Sequence, residues 1–193
     1  MRAIYVFFGM VASGKSTLAR EFADRHLLPY YNTDRVRKEL ADLELTSKRP
    51  DGLNQGIYTA EFTSRTYGAM LDYAEKDIRS GNKGVVLDGS YHRREERSRI
   101  RQLAINVDAV SIFIQCVCSD DVVKKRLEMR ALDPKAVSDG RWEIYQAQKK
   151  SFAIPDEIPA SELIILDTED TVSRLLDKLE EKLAGLKGKN AAG

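Results

Sequence analysis

The 193-residue sequence contains two cysteines, five prolines and one tryptophan, and neither sign of charge prevails. Its longest apolar run, residues 3–9, falls far short of the about 20 residues that a membrane-spanning helix needs, so no such helix is expected. No basic start followed by an apolar stretch and a small-residue cleavage site opens the chain, so no secretory leader is expected. With 31 Lys+Arg against 30 Asp+Glu the net charge is +1, which excludes coating of nucleic acid or an anionic membrane by bulk electrostatics. A local basic groove stays possible. Cys116 and Cys118 are two apart in one apolar stretch, the spacing of neither a zinc knuckle nor a redox pair. On a strand they share a face, so they read as two buried thiols in a reducing, cytoplasmic setting. No repeat, low-complexity tract or Pro/Gly-rich linker divides the chain, and 42% hydrophobic residues suffice for one buried core.

Short apolar runs alternate with longer amphipathic ones. Residues 3–8, 85–87, 109–116 and 163–166 suit strands buried on both faces, and 28–31 is a weaker strand candidate. Helical patterns occupy 16–26, 34–43, 59–79, 94–105, 120–130, 139–150 and 171–183. Ser119, ahead of two aspartates, reads as an N-cap. The alternation predicts a three-layer α/β domain over residues 1–184, with a frayed, disordered tail at 185–193 and a long loop at 45–56.

Directly after the first strand stands Gly9-Met10-Val11-Ala12-Ser13-Gly14-Lys15-Ser16-Thr17, the pattern G-x-x-x-x-G-K-[ST]. Gly9 and Gly14 permit backbone angles that a Cβ resists, so N–H groups through Ala12, Ser13 and Gly14 can point at phosphate oxygens. The following helix adds its positive N-terminal end. Lys15 would reach the β- and γ-phosphates, Ser16 would offer its hydroxyl to Mg²⁺, and Thr17 would contact the α-phosphate. A guanine-reading N-K-x-D sequence is absent, as is a strand ending in Asp-Glu, so a kinase fits better than a GTPase switch or an ATPase motor.

GMVASGKST, NTDRVRKEL and VVLDGSYHRREER, each following an early strand, together resemble the small P-loop kinases of the AAA-domain type. That group includes gluconate-kinase-like, zeta-toxin-like, chloramphenicol-phosphotransferase-like and polynucleotide-kinase-like proteins. The resemblance implies a P-loop nucleotide hydrolase fold, a five-stranded parallel sheet in the order 2-3-1-4-5, and an arginine-bearing helical lid, here at about 126–140. It also implies ATP and Mg²⁺ as cofactors.

The other site residues follow from that likeness. Asp34-x-x-Arg37 matches the general base and acceptor-phosphate arginine of polynucleotide-kinase-like relatives. The base takes the proton that an attacking hydroxyl must lose. The plainer readings are that Asp34 caps its helix and that Arg37 is a solvated helix-face residue. Asp88, ending a buried strand, either orders Mg²⁺ or contacts the acceptor; otherwise it caps a turn. Arg126 and Arg130, four apart on one helical face, are the lid arginines, with Arg126 closing over ATP; otherwise they form a basic outer stripe. Arg93, Arg94, Arg97, Arg99 and Arg101 read mostly as a solvated face, and His92 as exposed. Residues 166–168 are where such folds pass the adenine by backbone contact.

Tyr58, Arg65 and Tyr67 are candidates for lining an acceptor site, although an aromatic in such a helix is more often core. Lys48 and Arg49 favour an anionic acceptor. The expectation is an ATP-dependent kinase acting on a hydroxyl of a small molecule or of a nucleic-acid 5′ end, with no extended nucleic-acid binding. The rivals are a nucleotide-dependent binding or regulatory module and a nucleoside monophosphate kinase.

Overall fold

A computed structural model describes residues 2–46, 55–133 and 141–190, with side chains through 186. The apolar runs become five parallel strands in one sheet: β1 Arg2–Phe8, β2 Tyr30–Asn32, β3 Gly84–Asp88, β4 Ala109–Val117 and β5 Leu163–Asp167. Their spatial order is β2-β3-β1-β4-β5, as the family likeness implies. Phe7 and Asn32 both register with Asp88, so three central strands end level with one another at a single rim.

Alternation along each strand assigns side chains to two cores. Ile4, Val6, Phe8, Val85, Leu87 and Phe113 face one side. There they meet α3 (Ala60–Arg79) through Met70, Ala74 and Ile78, and α4 (Arg94–Asn106) through Ile100 and Leu103. Phe7, Val86, Ile112, Ile114 and Cys116 face the other side, against Leu18 and Phe22 of α1 (Lys15–His26) and the leucine stripe of α7 (Val172–Asn190). Each fully buried side chain of this size contributes about 1.5–3 kcal/mol. Because helices cover both faces, the central strands carry no polar alternation. The remaining helices are α2 (Thr33–Leu40), α5 (Asp120–Leu132) and α6 (Trp142–Ser151), and a 3-10 turn spans Gly56–Tyr58.

Several expectations change. The tail expected to fray from residue 185 continues α7 to Asn190, because Leu186 extends the stripe of Leu179 and Leu183 onto the core. Most of the 45–56 loop, with Lys48 and Arg49, lies outside the described residues, as does the lid beyond Asp133. Ser119 stands at the α5 N-cap position without a side-chain capping bond, and its N–H donates to Glu169 at 2.5 Å.

The largest correction concerns the arginine run of α4. Arg97 is completely buried. Its Nε and Nη2 donate to Glu157 at 2.6 and 3.1 Å, and its Nη1 donates to the Tyr91 carbonyl at 2.8 Å. Arg101 forks onto Glu162 at 3.0 and 3.2 Å, and Arg94 pairs with Asp156. Spaced i, i+3, i+7, the three arginines share one helical face, which the acidic segment ahead of β5 covers. Those partners are some 60 residues away in sequence, so charge alone reads as solvated.

Candidate active site

The phosphate loop leaves β1 at Gly9, whose φ is 141°; a Cβ there would lie 2.4 Å from the Cys116 carbonyl oxygen. Gly14 (φ 84°) is the N-cap of α1, and no side chain caps that helix. No side-chain cap bond engages its N-terminus and its first turn contains no acidic residue, which leaves N–H groups for an anion. Thr168 Oγ1 donates to Ser13 O at 2.7 Å. Since the peptide is planar and trans, that outward carbonyl turns the Gly14 N–H to the opposite side. Lys15 Nζ donates to Met10 O at 3.2 Å, across the loop.

Arg126, expected to close over ATP, is bonded to the phosphate loop and to Thr168. Its Nη1 donates to Ala12 O at 3.2 Å and Thr168 Oγ1 at 3.1 Å, and its Nη2 donates to Thr168 O at 2.7 Å. It therefore holds the loop from outside and forms one edge of a cavity of about 280 Å³. Leu18, Met129, Val172 and Leu175 supply apolar walls, while Gly14 and Thr17 line the phosphate end. A flat apolar slot with a guanidinium edge suits a nucleotide base. Both backbone groups of Thr168 are engaged, its N–H with Val117 O at 2.9 Å and its carbonyl with Arg126. Thr168 lines the cavity together with Asp170 and Val172.

Arg130, one helical turn beyond Arg126 on α5, lines the same cavity. Burial lowers its pKa, while the charges of Asp34 and Asp88 raise it and that of Arg126 lowers it, so both carboxylates lie within its field. Asp34, half-buried in the first turn of α2, does not cap that helix. Asn32 does so, accepting the N–H groups of Asp34 and Arg35, each at 3.1 Å. The capping alternative for Asp34 is thereby overturned, and the cap does not use its carboxylate.

Asp88 is fully buried at the end of β3. Its Oδ2 accepts from Tyr30 Oη at 2.7 Å and Asn32 Nδ2 at 2.5 Å. Its Oδ1 is buried with no hydrogen-bond partner among the described residues. Burial raises its pKa from the ordinary carboxylate value, and Lys15, Tyr30, Ser16 and Asn32 offset part of that rise. A carboxylate beside the Ser16 hydroxyl with one orphaned oxygen fits a divalent cation. Among the described residues no three His, Cys, Asp or Glu side chains form a cage, so the other ligands would be phosphate oxygens and water.

Arg37 is buried rather than solvated. Its Nη1 donates to Ile57 O at 2.7 Å and Thr63 Oγ1 at 3.0 Å, its Nε is unpartnered, and its guanidinium lies 5.0 Å from the Tyr58 ring centroid. Arg65 is exposed over Phe62 and is not brought to the other site residues. Tyr67 is buried, with its Oη 3.1 Å from Ser90 Oγ. His92 is half-buried rather than exposed, its Nδ1 3.2 Å from Ser90 Oγ; burial, then Arg93 and Arg97, lower its pKa. Cys118 is only half-buried, with its sulfur 3.5 Å from Arg126.

Sequence reasoning missed Gln148. Its Oε1 accepts the Val11 N–H at 2.7 Å and thereby ties α6 to the phosphate loop. Val11 and Ala12 pack with Val123, Leu127 and Tyr145 in a separate small core. The polar amide falls on the apolar face of α6, at i+3 from Tyr145, which is the one signal that could have marked it.

Residues 4–155 match the family model described as an AAA domain. Uncharacterized protein Rv2004c of Mycobacterium tuberculosis, and a counterpart in Mycobacterium bovis, are each 31% identical over 123 residues, 64% of this chain. The chain's match spans about a quarter of the length of these curated relatives. Among solved structures, a sugar kinase from Janibacter superposes with a TM-score of 0.67 at 19% identity, covering 95% of each chain. A gluconokinase from Sinorhizobium meliloti gives 0.61 at 18% identity, covering 96% of this chain and 91% of its own. Kti12 from Chaetomium thermophilum, in complex with ADP-AlF3, gives 0.64 at 18% identity and covers 93% and 97%. With the phosphate loop, sheet order and family match in agreement, the chain belongs to the AAA domain family.

Proposed function

We propose that the protein is an ATP- and Mg²⁺-dependent kinase that transfers the γ-phosphoryl group to a hydroxyl. The observation that carries the reading is the uncapped N-terminus of α1, behind the Gly9–Thr17 loop, together with the buried Asp88 at the neighbouring strand end, whose Oδ1 has no partner among the described residues. N–H groups of the loop and of the α1 N-terminus hold the phosphates, and Lys15 adds a point charge. Ser16 and Asp88 would hold the cation, which neutralises charge on the β- and γ-phosphates when bound. Asp34 accepts the proton of the acceptor hydroxyl as its oxygen bonds to the γ-phosphorus and the bond to the β-phosphate oxygen breaks, releasing ADP. Arg130 balances charge on the phosphoryl group in transit, and Arg126 flanks the base and steadies the loop.

Arg37 supports an anionic acceptor. It is buried, donates to two neutral oxygens and has no ion pair among the described residues. A buried guanidinium without a counter-charge is costly, and an acceptor's carboxylate or phosphate would relieve that cost. The test is an acceptor screen with γ-labelled ATP over sugar acids, sugars, nucleosides, nucleotide sugars, antibiotics and nucleic-acid 5′ ends. Asp34→Asn should retain ATP binding and lose about 10²–10⁴-fold in transfer. Transfer at the parental rate would remove Asp34 from the role of base.

A further inference from the structure

Asn32 is the last residue of β2, nine-tenths buried, and every hydrogen-bonding face of its side chain that the structure engages serves the rim. On one side Oδ1 accepts the N–H groups of Asp34 and Arg35. On the other, Nδ2 donates to Asp88 Oδ2 at 2.5 Å. The orientation follows from the partners, since two N–H groups require the oxygen and a carboxylate requires the nitrogen.

We infer that Asn32 is a positioning residue whose planar amide fixes the base-bearing turn of α2 against the buried carboxylate Asp88, and that its effect on nucleotide binding acts through the cation. The inference rests on the kinase reading above and adds a residue to it. A helix N-cap alone does not explain asparagine. Serine, threonine or aspartate cap as well, but none of these can accept two N–H groups on one face and present an N–H to a carboxylate on the other. Tyr30 makes the second bond to the same Asp88 oxygen. With Oδ2 doubly engaged, Asp88 is held so that Oδ1, the orphaned atom, is the one left for the cation. A shift of the α2 first turn would break the cap and the Asp88 bond together, so the two carboxylates move as one unit or not at all.

Asn32→Ser retains a capping oxygen and removes the amide N–H that spans to Asp88, since a single shorter hydroxyl engaged in the cap does not reach across as the amide does, whereas Asn32→Ala removes both. The measurements are calorimetric affinity for ADP with and without Mg²⁺, and amide hydrogen exchange at Asp34 and Arg35. For Asn32→Ser, exchange at both amides should stay near the parental rate. Metal-free ADP affinity should stay within about twofold, and the gain in affinity that Mg²⁺ confers should fall about tenfold. Tyr30→Phe should lower the same gain. In Asn32→Ala both amides should exchange about five- to tenfold faster as well. An undiminished Mg²⁺ gain in Asn32→Ser, or a parallel loss of both ADP affinities, would overturn the inference while leaving the kinase reading intact. Absence of ADP binding in the parental protein would overturn both.

Discussion

Replacing Arg97 by methionine tests the buried ion pair that joins α4 to the segment before β5. The guanidinium has no exposure, and the Glu157 side chain keeps 11% of its own. Methionine fills the volume but leaves the Glu157 carboxylate and the Tyr91 carbonyl without their donor. Breaking one side of such a pair costs about 3–5 kcal/mol. For a domain of this length each kcal/mol lowers the melting temperature by about 2–4 °C, so Tm should fall by roughly 6–20 °C. Arg94→Ala, at a pair in which both side chains are more than half exposed, should cost at most about 1 kcal/mol. The double variant Arg97→Met/Glu157→Met should recover most of the loss, since no buried charge is left uncompensated. Urea titration with circular dichroism reads all four proteins. If Arg97→Met were no less stable than Arg94→Ala, the pair's claimed weight would be wrong. The same pair sets an acid limit. Burial alone would raise the Glu157 pKa, but its bonds to Arg97 and the charges of Arg97 and Arg94 outweigh that and lower it. Its stabilisation is therefore complete above the unfolded carboxylate value, about 4.3, and is lost as pH falls through the lower folded value.

Other consequences follow from the loop and the strands. Gln148→Leu should leave the buried Val11 N–H unpaired at a cost of about 1–3 kcal/mol, speed its exchange and weaken ATP binding; Gln148→Glu, which keeps an acceptor oxygen but adds negative charge beside the loop, should restore the first two and leave ATP binding weak. Gly9→Ala should abolish nucleotide binding and destabilise the fold, because its Cβ meets backbone; Gly81→Ala, with no atom within 4 Å, should cost only about 1–2 kcal/mol from its positive φ. At pH 8 an alkylating reagent should label Cys118 and spare Cys116, whose thiol burial pushes up to about 12, until the protein is unfolded. Mass spectrometry of the labelled peptide separates the two.

What could be read from the chain was what repeats or is local. Strand alternation and helical stripes fixed the layers, and the phosphate loop lies within nine consecutive residues bounded by a strand and a helix. Polar residues whose partners are distant are the ones the sequence does not resolve. Arg97 looks solvated, and a solvated face stands open as an alternative for Arg37, because an arginine's charge is visible in sequence and its burial is not. Gln148 meets Val11 across 137 residues, and no local pattern encodes that contact. Asp34 and Asn32 both suit an N-cap by type and differ by two positions; only the observed hydrogen bonds decide between them. Arg126 and Arg130 are equivalent by spacing and line the same cavity, yet only Arg126 is bound to Ala12 and Thr168 among the described residues. Their offset of one turn along α5 makes that distinction.

Because all five strands run the same way, every loop implicated in chemistry leaves from one end of the sheet, and the opposite end is chemically idle. Lys83, exposed where the chain enters β3, lies at that idle end, with its carbonyl bonded to Ala3 N at 3.1 Å. The length of a five-residue strand, about 17 Å, separates it from Asp88. It is therefore a natural attachment point for a tether or a fluorescent reporter, from which the molecule could be immobilised or watched during turnover without the probe touching nucleotide or acceptor.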